Sequence, residues 1–236
     1  MTNIVKLEHV CREYGQGDAV VHAVQDVSLE IEPGSFVALA GPSGSGKSTL
    51  LNVISGLDRP SSGRVYIGDE ETTSRSGSWL SRLRMERIGF VFQAFNLFPV
   101  LTAFENAEYV LMLQGVPVTE RRRRVLAMLD RVGLTGLADR YPRELSGGQQ
   151  QRVAVARAIV PEPALILADE PTANLDSQTG AALLDLMAEL NREKGTTFLF
   201  SSHDPKVLDR ARRVVRLSDG RIVADETMSR SARAQA

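Results

Sequence analysis

The stretch FVALAGPSGSGKST, residues 36–49, decides the fold class of this 236-residue chain. Residues 36–40 are wholly apolar, which predicts a strand buried on both faces of a sheet. A glycine-rich turn follows, and residues 47–56 then carry apolar side chains at helical spacing, with Gly56 as the stop. A buried strand, a tight loop and a helix in this order are typical of an α/β protein.

The turn itself has a phosphate-binding pattern. Residues 41–48, GPSGSGKS, match G-x-x-x-x-G-K-[ST]. Glycines let the backbone N–H groups converge on phosphate oxygens, and the helix dipole favours the anion. We expect Lys47 to neutralise the β- and γ-phosphates of ATP and Ser48 to ligate Mg²⁺, whereas a chance Gly/Ser-rich turn would lack the flanking strand and helix. The predicted nucleotide contacts are Gly41, Pro42, Ser43, Gly44, Ser45, Gly46, Lys47, Ser48 and Thr49.

A second apolar run, LILA at residues 165–168, ends in two acids, Asp169 and Glu170. Strands of an α/β sheet bind ligands at their carboxyl ends, where both acids should lie. Asp169 is predicted to hold Mg²⁺ through its water shell, and Glu170 to polarise the attacking water as general base. Two acids in this place are otherwise a solvated helix cap, but the phosphate loop upstream favours the catalytic interpretation.

Strand and helix patterns alternate along the rest of the chain. The Pro33-Gly34 turn predicts a hairpin among the first strands. The helical stretch between residues 94 and 159 predicts a helical lobe inserted into an α/β core. Strands are predicted at 4–10, 27–31, 36–40, 63–67, 88–92, 164–168, 196–201 and 214–217, and helices at 47–56, 103–114, 120–132, 148–159 and 177–194.

Composition narrows the class of protein. Hydrophobic residues make up 43% and charged residues 24%, as in ordinary globular proteins. The net charge of -1 weighs against a nucleic-acid partner, since such binders usually carry a basic surplus. The single cysteine, Cys11, cannot form an internal disulfide and favours a reducing compartment. With neither a secretion-signal pattern nor a long apolar run, we expect a cytoplasmic protein that reaches a membrane only through a partner.

One further motif and three single residues accompany the phosphate loop and the acids. LSGGQ at residues 145–149 stands directly before a predicted helix, where free backbone N–H groups would make a second anion site or a simple N-cap turn. Gln93 follows one predicted strand, and His203 follows another. Asp176 lies shortly after the two acids.

With these motifs in this order, nearly the whole chain resembles the nucleotide-binding subunit of ABC transporters. The resemblance implies a RecA-like P-loop NTPase core with an antiparallel β subdomain and an inserted α-helical subdomain. It also implies a single ABC ATPase domain, for which we expect a core with β subdomain at 1–93 and 160–228, a helical subdomain at 94–159, and a frayed tail at 229–236.

The resemblance also implies an ATPase that works as a dimer. Two copies would sandwich two Mg-ATP, each nucleotide lying between one phosphate loop and the other copy's signature turn. That turn comprises Ser146, Gly147, Gly148 and Gln149.

Four more residues have roles that only the resemblance implies. Tyr14 would stack on adenine, unless it is a buried aromatic at a strand end. Gln93 would touch Mg²⁺ or the attacking water and sense the γ-phosphate. His203, otherwise a structural hydrogen-bonder, would bond that phosphate and help hold Glu170. Asp176 would reach toward the second copy's phosphate loop.

The implied partner is an integral membrane permease subunit, which would place the chain on the inner face of the cell membrane. Residues 94–99, AFNLFP, are either buried core or part of a groove for a short helix of that subunit. Residues 41–60, 88–96 and 202–220 resemble the branch that serves lipoprotein release and macrolide export. The expected function is ATP-driven export or extraction of an envelope substrate, and the alternative is control of cell-wall hydrolysis without transport.

Overall fold

A computed structural model of the protein describes residues 2–15 and 20–228, so the tail predicted at 229–236 lies outside the described residues. The strands are β1 (Val5–Tyr14), β2 (Val21–Ile31), β3 (Phe36–Ala40), β4 (Ser62–Ile67), β5 (Glu70–Glu71), β6 (Ile88–Val91), β7 (Leu165–Ala168), β8 (Thr197–Ser202), β9 (Arg213–Ser218) and β10 (Arg221–Thr227). The helices are α1 (Lys47–Ile54), α2 (Gly77–Arg87), α3 (Ala103–Leu113), α4 (Val118–Arg131), α5 (Gly147–Ile159), α6 (Ser177–Lys194) and α7 (Pro205–Leu208).

The larger sheet has the strand order β10-β9-β3-β8-β7-β6. Its strands β9, β3, β8, β7 and β6 are parallel, and β10 pairs antiparallel with β9. All five residues of β3 are buried, as predicted. Ala40 pairs with Ser202, and Val91 pairs with Ala168, so these strands end at one edge of the sheet. The loops that leave them therefore converge at that edge.

The smaller sheet is antiparallel, with the order β2-β1-β4-β5. The hairpin predicted at Pro33-Gly34 is wrong, because β2 and β3 belong to different sheets. After this turn the Gly34 N–H donates to Thr197 Oγ1 over 2.9 Å, and β3 enters the larger sheet. A wholly apolar strand needs cover on both faces, and only the middle of the larger sheet provides it. The first hairpin is instead the one between β1 and β2.

The core has two layers, one on each face of the larger sheet. Helix α1 lies between the two sheets, where Leu50, Leu51 and Ile54 are fully buried with side chains of both. On the opposite face Phe36 packs against Phe198 and Phe200, with ring centroids 5.6 and 5.0 Å apart, beneath helices α3 to α6. The α/β class with an antiparallel sheet is therefore confirmed.

The sequence did not predict α2, β5, α7 or β10, and the longer two of these, α2 and β10, lack an apolar period. Helix α2 buries only Leu80 and Leu83, and its other positions are mostly polar or charged. Strand β10 is exposed along most of its length. Residues 103–159 contain helices and no strand, while the subdomain limits at 93–94 and 159–160 stay predictions. Within the described ranges, no helix combines the length and the apolar character needed to cross a bilayer.

Candidate active site

The phosphate loop joins β3 to α1 at the edge where the parallel strands end. Gly46 is the N-cap of α1, has φ 98°, and supplies no side-chain cap. A Cβ on Gly46 would lie 2.3 Å from Ala23 O, and one on Gly41 would lie 2.3 Å from Leu217 O. The loop therefore requires glycine both for its backbone conformation and for its close packing. The first N–H groups of α1 have no acceptor within the helix and suit an anion.

Lys47 is the first residue of α1, directly after the loop, and 6% of its side chain is exposed. Its ammonium donates to Gly41 O over 2.8 Å and to Pro42 O over 3.0 Å. Glu170 Oε1 is 3.8 Å from the same nitrogen. A cation is thus held between the loop and the acid strand, in a position to compensate phosphate charge.

Ser48 and Asp169 meet across the site. The Ser48 hydroxyl donates to Asp169 Oδ1 over 2.9 Å. Hydroxyl and carboxylate oxygens are hard ligands, and Mg²⁺ in phosphate sites uses few protein ligands and completes its sphere with water and phosphate. No group of three or more His, Cys, Asp or Glu in the described part of the chain could hold a metal alone. The donor set fits Mg²⁺ bound together with a nucleotide.

Glu170 is held by backbone and side-chain contacts. It has φ 42°, a left-handed conformation that a non-glycine residue adopts only where its surroundings hold it. Its N–H donates to Ser201 Oγ over 2.8 Å. His203 Nδ1 lies 2.9 Å from Glu170 Oε1, and because a carboxylate only accepts hydrogen bonds, the imidazole is the donor. The contact with His203 therefore fixes the orientation of the largely buried Glu170 carboxylate.

Ser201 is a site residue that sequence reasoning missed. Its hydroxyl donates to Asp169 Oδ1 over 2.6 Å and accepts from the Glu170 N–H, so it joins both acids. The residue is fully buried in β8, next to the acid strand β7. The serine pair that ends β8, after the apolar residues 198–200, was the only signal in the sequence.

Removing this hydroxyl should slow hydrolysis more than it weakens binding. For Ser201→Ala we expect about a tenfold lower kcat, because Asp169 and the Glu170 backbone each lose a buried hydrogen bond. Steady-state ATPase assays measure this. Ser202→Ala, a buried serine on the same strand whose hydroxyl accepts from Asp204 N, is the control and should stay within about threefold of the parent. Equal kinetics for the two variants would contradict the assignment.

The phosphate loop is also supported from behind by the turn between β9 and β10, which the sequence did not reveal. The Gly220 N–H donates to Ser45 O over 3.2 Å, and Gly220 O accepts from the Gln25 N–H over 2.8 Å. Gln25 Nε2 further donates to Asp219 O over 2.8 Å. The loop is therefore fixed against both sheets, since β2 belongs to one and β9 to the other.

The signature turn forms the N-terminus of α5, and its side chains cap that helix. Ser146 Oγ accepts from Gln149 N over 3.3 Å, and Gln149 Oε1 accepts from Ser146 N over 2.9 Å. The turn is thus an N-cap, as the alternative interpretation predicted. The Ser146 hydroxyl only accepts in this contact, so it can still donate its proton to a ligand. Among the described residues, the turn shares no hydrogen bond with the phosphate loop of the same chain.

Asp176 caps α6 in the same way, accepting from the backbone N–H groups of Gln178 and Thr179 at 3.0 Å. Hydrogen bonds from the Thr179 side chain and backbone lower the pKa of Asp176. Ser146, Gly147, Gly148, Gln149 and Asp176 line one shallow groove of about 470 Å³. Two predicted contact elements therefore lie together, apart from the phosphate loop.

Gln93 and Tyr14 lie at the ends of strands. Gln93 is exposed just after β6, and its backbone oxygen accepts from Asn174 Nδ2 over 2.8 Å. Tyr14 ends β1 with 39% exposure, so it is not the buried aromatic that was the alternative. Its hydroxyl donates to Asp58 Oδ2 over 2.6 Å, and the Arg12 guanidinium lies 4.3 Å from the ring centroid. The structure thus joins Lys47, Ser48, Asp169, Glu170 and His203 in one site.

The amino-acid sequence and the fold of this chain are similar to those of known proteins. The model of the family described as "ABC transporter" matches residues 24–173. A macrolide export ATP-binding/permease protein of Sodalis glossinidius is 47% identical over 224 residues, covering 95% of this chain and 34% of that protein. The chain thus spans about one third of that relative's length.

Two further matches have the length of the chain itself. An uncharacterized ABC transporter ATP-binding protein of Methanocaldococcus jannaschii, MJ0796, is 44% identical over 229 residues, covering 95% of this chain and 97% of that protein. The solved dimeric structure of a post-hydrolysis state of this cassette, bound to ADP and Pi, has a TM-score of 0.90 and 44% identity, covering 95% of this chain and 99% of that one.

Proposed function

The chain belongs to the ABC transporter family of ATP-binding, ATP-hydrolysing proteins, and we propose that it drives an integral membrane permease subunit. The work done would be export, or extraction of a lipoprotein or other envelope substrate. The relative from Sodalis glossinidius, which is named for both ATP binding and a permease, supports a membrane partner. The proposed location is the inner face of the cell membrane, reached through that partner.

We assign the chemistry at one phosphate to five residues. Lys47 compensates charge on the β- and γ-phosphates, and Glu170 takes a proton from the attacking water. Ser48 and Asp169, with Gln93, hold Mg²⁺, which when bound draws charge from the phosphate oxygens. The contact between Ser48 and Asp169 at 2.9 Å and the 3.8 Å approach of Lys47 to Glu170 support this assignment.

His203 has two tasks in this scheme. Its Nδ1 orients Glu170, and its Nε2 is left to meet the γ-phosphate. The 2.9 Å contact with Glu170 and the 65% exposure of the imidazole support both tasks.

The functional unit we propose is a head-to-tail dimer with two ATPs in its interface. Tyr14 and the phosphate loop of one copy would face Ser146 to Gln149 and Asp176 of the other. Two observations support this arrangement: the signature turn makes no hydrogen bond to its own phosphate loop in the described residues, and the related cassette was solved as a dimer with ADP and Pi. Nucleotide that binds the closed form better than the open one drives closure, and hydrolysis releases it.

An apolar groove beside the Gln93 loop is the observation that supports a membrane partner. It encloses about 350 Å³ and is lined mainly by Met85, Ile88, Phe90, Phe92, Phe98, Tyr109, Val110 and Leu113. Phe98 and Leu113 are 42% and 55% exposed there, whereas Leu97 packs against the core. Leu97 thus supports the buried-core interpretation of residues 94–99, and exposed Phe98 supports the groove.

The groove is tied to the signature helix. Arg157 of α5 donates to Phe95 O over 2.9 Å and to Asn96 O over 2.6 Å. Phe95 and Asn96 have φ 59° and 46°, so this rim is a fixed left-handed turn. A short amphipathic helix from a permease could bind in this apolar groove. Movement of the groove would then displace both Gln93 and α5.

A charge in this groove should separate the chain from its partner. For Leu113→Asp we expect about tenfold less of one polytopic membrane protein to co-purify from detergent-solubilised membranes, with basal ATPase within about twofold of the parent. Mass spectrometry identifies and quantifies the protein. Val223→Asp, 63% exposed on β10, is the matched control. Capture of no membrane protein by the parent, or equal capture by all three forms, would contradict the proposal.

A further inference from the structure

Gln151 is a buried side chain that the chemistry above does not use. It lies in α5 with 0% exposure, and its Nε2 donates to Pro171 O over 2.7 Å. Its Oε1 is buried with no hydrogen-bond partner among the described residues. A buried amide oxygen without a partner costs stability, and an apolar side chain of this length would avoid that particular cost. What the amide adds is therefore the single hydrogen bond to Pro171.

Pro171 directly follows Glu170, so this bond acts on the backbone of the proposed general base. Ser201 holds the Glu170 N–H from one side, and Gln151 holds the next carbonyl from the other. Glu170 keeps its left-handed φ of 42° between these two contacts. Loss of the second contact would leave the buried Pro171 carbonyl without this donor and free the acid to reorient.

The same helix carries the signature turn. Gly147 stands four residues before Gln151, one helical turn away, so the two move as one rigid element. A Cβ on Gly148 would lie 2.9 Å from Thr179 Cγ2, which shows how closely the turn packs on α6. Arg152 donates to Val132 O over 3.0 Å and holds α5 to the end of α4.

We propose that Gln151 is a positioning residue that couples the signature turn of a subunit to the orientation of Glu170 in that same subunit. The inference rests on the proposed dimer, in which this turn meets the nucleotide held by the other copy. The nucleotide held by the other copy fixes α5 of the subunit. Through Gln151, the fixed helix then orients Glu170 at the nucleotide that the subunit itself holds. Hydrolysis at the two sites is thereby coupled and cooperative in ATP.

Gln151→Met tests the coupling, because methionine keeps the length and loses the donor. We expect about a tenfold lower kcat and a Hill coefficient near 1, with KM changed by less than about threefold. The melting temperature should change little, because loss of the unpartnered oxygen offsets loss of the donor to Pro171 O. A merely structural role would instead lower the melting temperature and leave kcat of the folded protein unchanged.

Gln114→Met is the matched control. Gln114 also donates its amide to a backbone carbonyl, Met85 O at 2.8 Å, but at the end of α3. We expect it to keep the parent's kcat and Hill coefficient. Loss of cooperativity in both variants would overturn the inference.

Gln151→Glu supplies a rescue and stands in if the methionine variant does not fold. A protonated carboxyl donates to Pro171 O, whereas an ionised one cannot. Its kcat relative to the parent should therefore rise as pH is lowered from about 8 to about 6, because burial favours the neutral acid. A pH-independent ratio, or a folded Gln151→Met with the parent's kcat and Hill coefficient, overturns the inference. Neither result affects the co-purification experiment with Leu113→Asp, which tests the proposed function separately.

Discussion

Glu170→Gln is expected to lower kcat for ATP hydrolysis by at least about 100-fold while Mg-ATP still binds. Glutamine keeps an oxygen for the His203 Nδ1–H, 2.9 Å away in the parent, but it cannot take a proton from water. Unhydrolysed nucleotide should then hold two copies together. Phosphate release assays and size-exclusion chromatography with light scattering measure the two effects.

The control for this variant is a glutamate away from the site. Glu226 lies on β10 with an exposed side chain, so Glu226→Gln should turn over ATP as the parent does and show no trapped dimer. A Glu170→Gln protein that stays monomeric with ATP and hydrolyses it freely would remove the assignment of Glu170 as general base.

Lys47→Ala should have a comparably large effect by a different route. Without the ammonium, charge that develops on the transferred phosphoryl group is uncompensated, and turnover should fall about 100- to 1,000-fold. Nucleotide affinity should fall as well, because the charge acts on the bound phosphates before reaction. Equilibrium binding of a fluorescent ATP analogue and single-turnover hydrolysis separate the two losses.

Lys194→Ala is the control for this lysine variant. Lys194 is a more exposed lysine paired with Glu162 at 2.6 Å, and its removal should leave both quantities near the parent's values. Since Lys47 is 6% exposed, thermal melting should accompany the assays. A folded Lys47→Ala protein with the parent's kcat would contradict the role given to the phosphate loop.

The parts of the site that follow strand ends could be predicted from sequence. Buried parallel strands end at one edge of a sheet, and the sequence places Lys47 and Ser48 after one strand and Asp169 and Glu170 after another. That rule explains why Ser48 and Asp169 lie close together, and the structure places their side-chain oxygens 2.9 Å apart. The α/β class followed from the same wholly apolar strand, β3.

Ser201 and Gln151 could not be predicted, because their importance depends on register and helix rotation. Ser201 reaches both acids only because β8 pairs with β7 in this register. Gln151 is one of three consecutive glutamines, and only the packing of α5 shows which of them is fully buried. Helix α2 was missed for a related reason, since two buried leucines do not make an apolar period.

The proposed dimer divides each nucleotide site between two copies of the chain. Ser146 caps its own helix, and no hydrogen bond links the signature turn to the phosphate loop within the described chain. A site made by one copy alone would need both elements around the same phosphate. A site shared head to tail needs only that each copy supply one of them.

Mixing two inactive variants shows whether the nucleotide site is shared between copies. Lys47→Ala removes the phosphate-loop charge, and Ser146→Arg blocks the signature turn, so each alone should be inactive. In a mixed dimer both defects fall on one site and the other site is intact. With half of the dimers mixed and one good site in each, ATPase activity should rise well above that of either variant alone, to at most about a quarter of the parent's value, because the good site lacks coupling from its defective neighbour. If the equimolar mixture stays as inactive as the separate variants, the nucleotide is not shared between two copies.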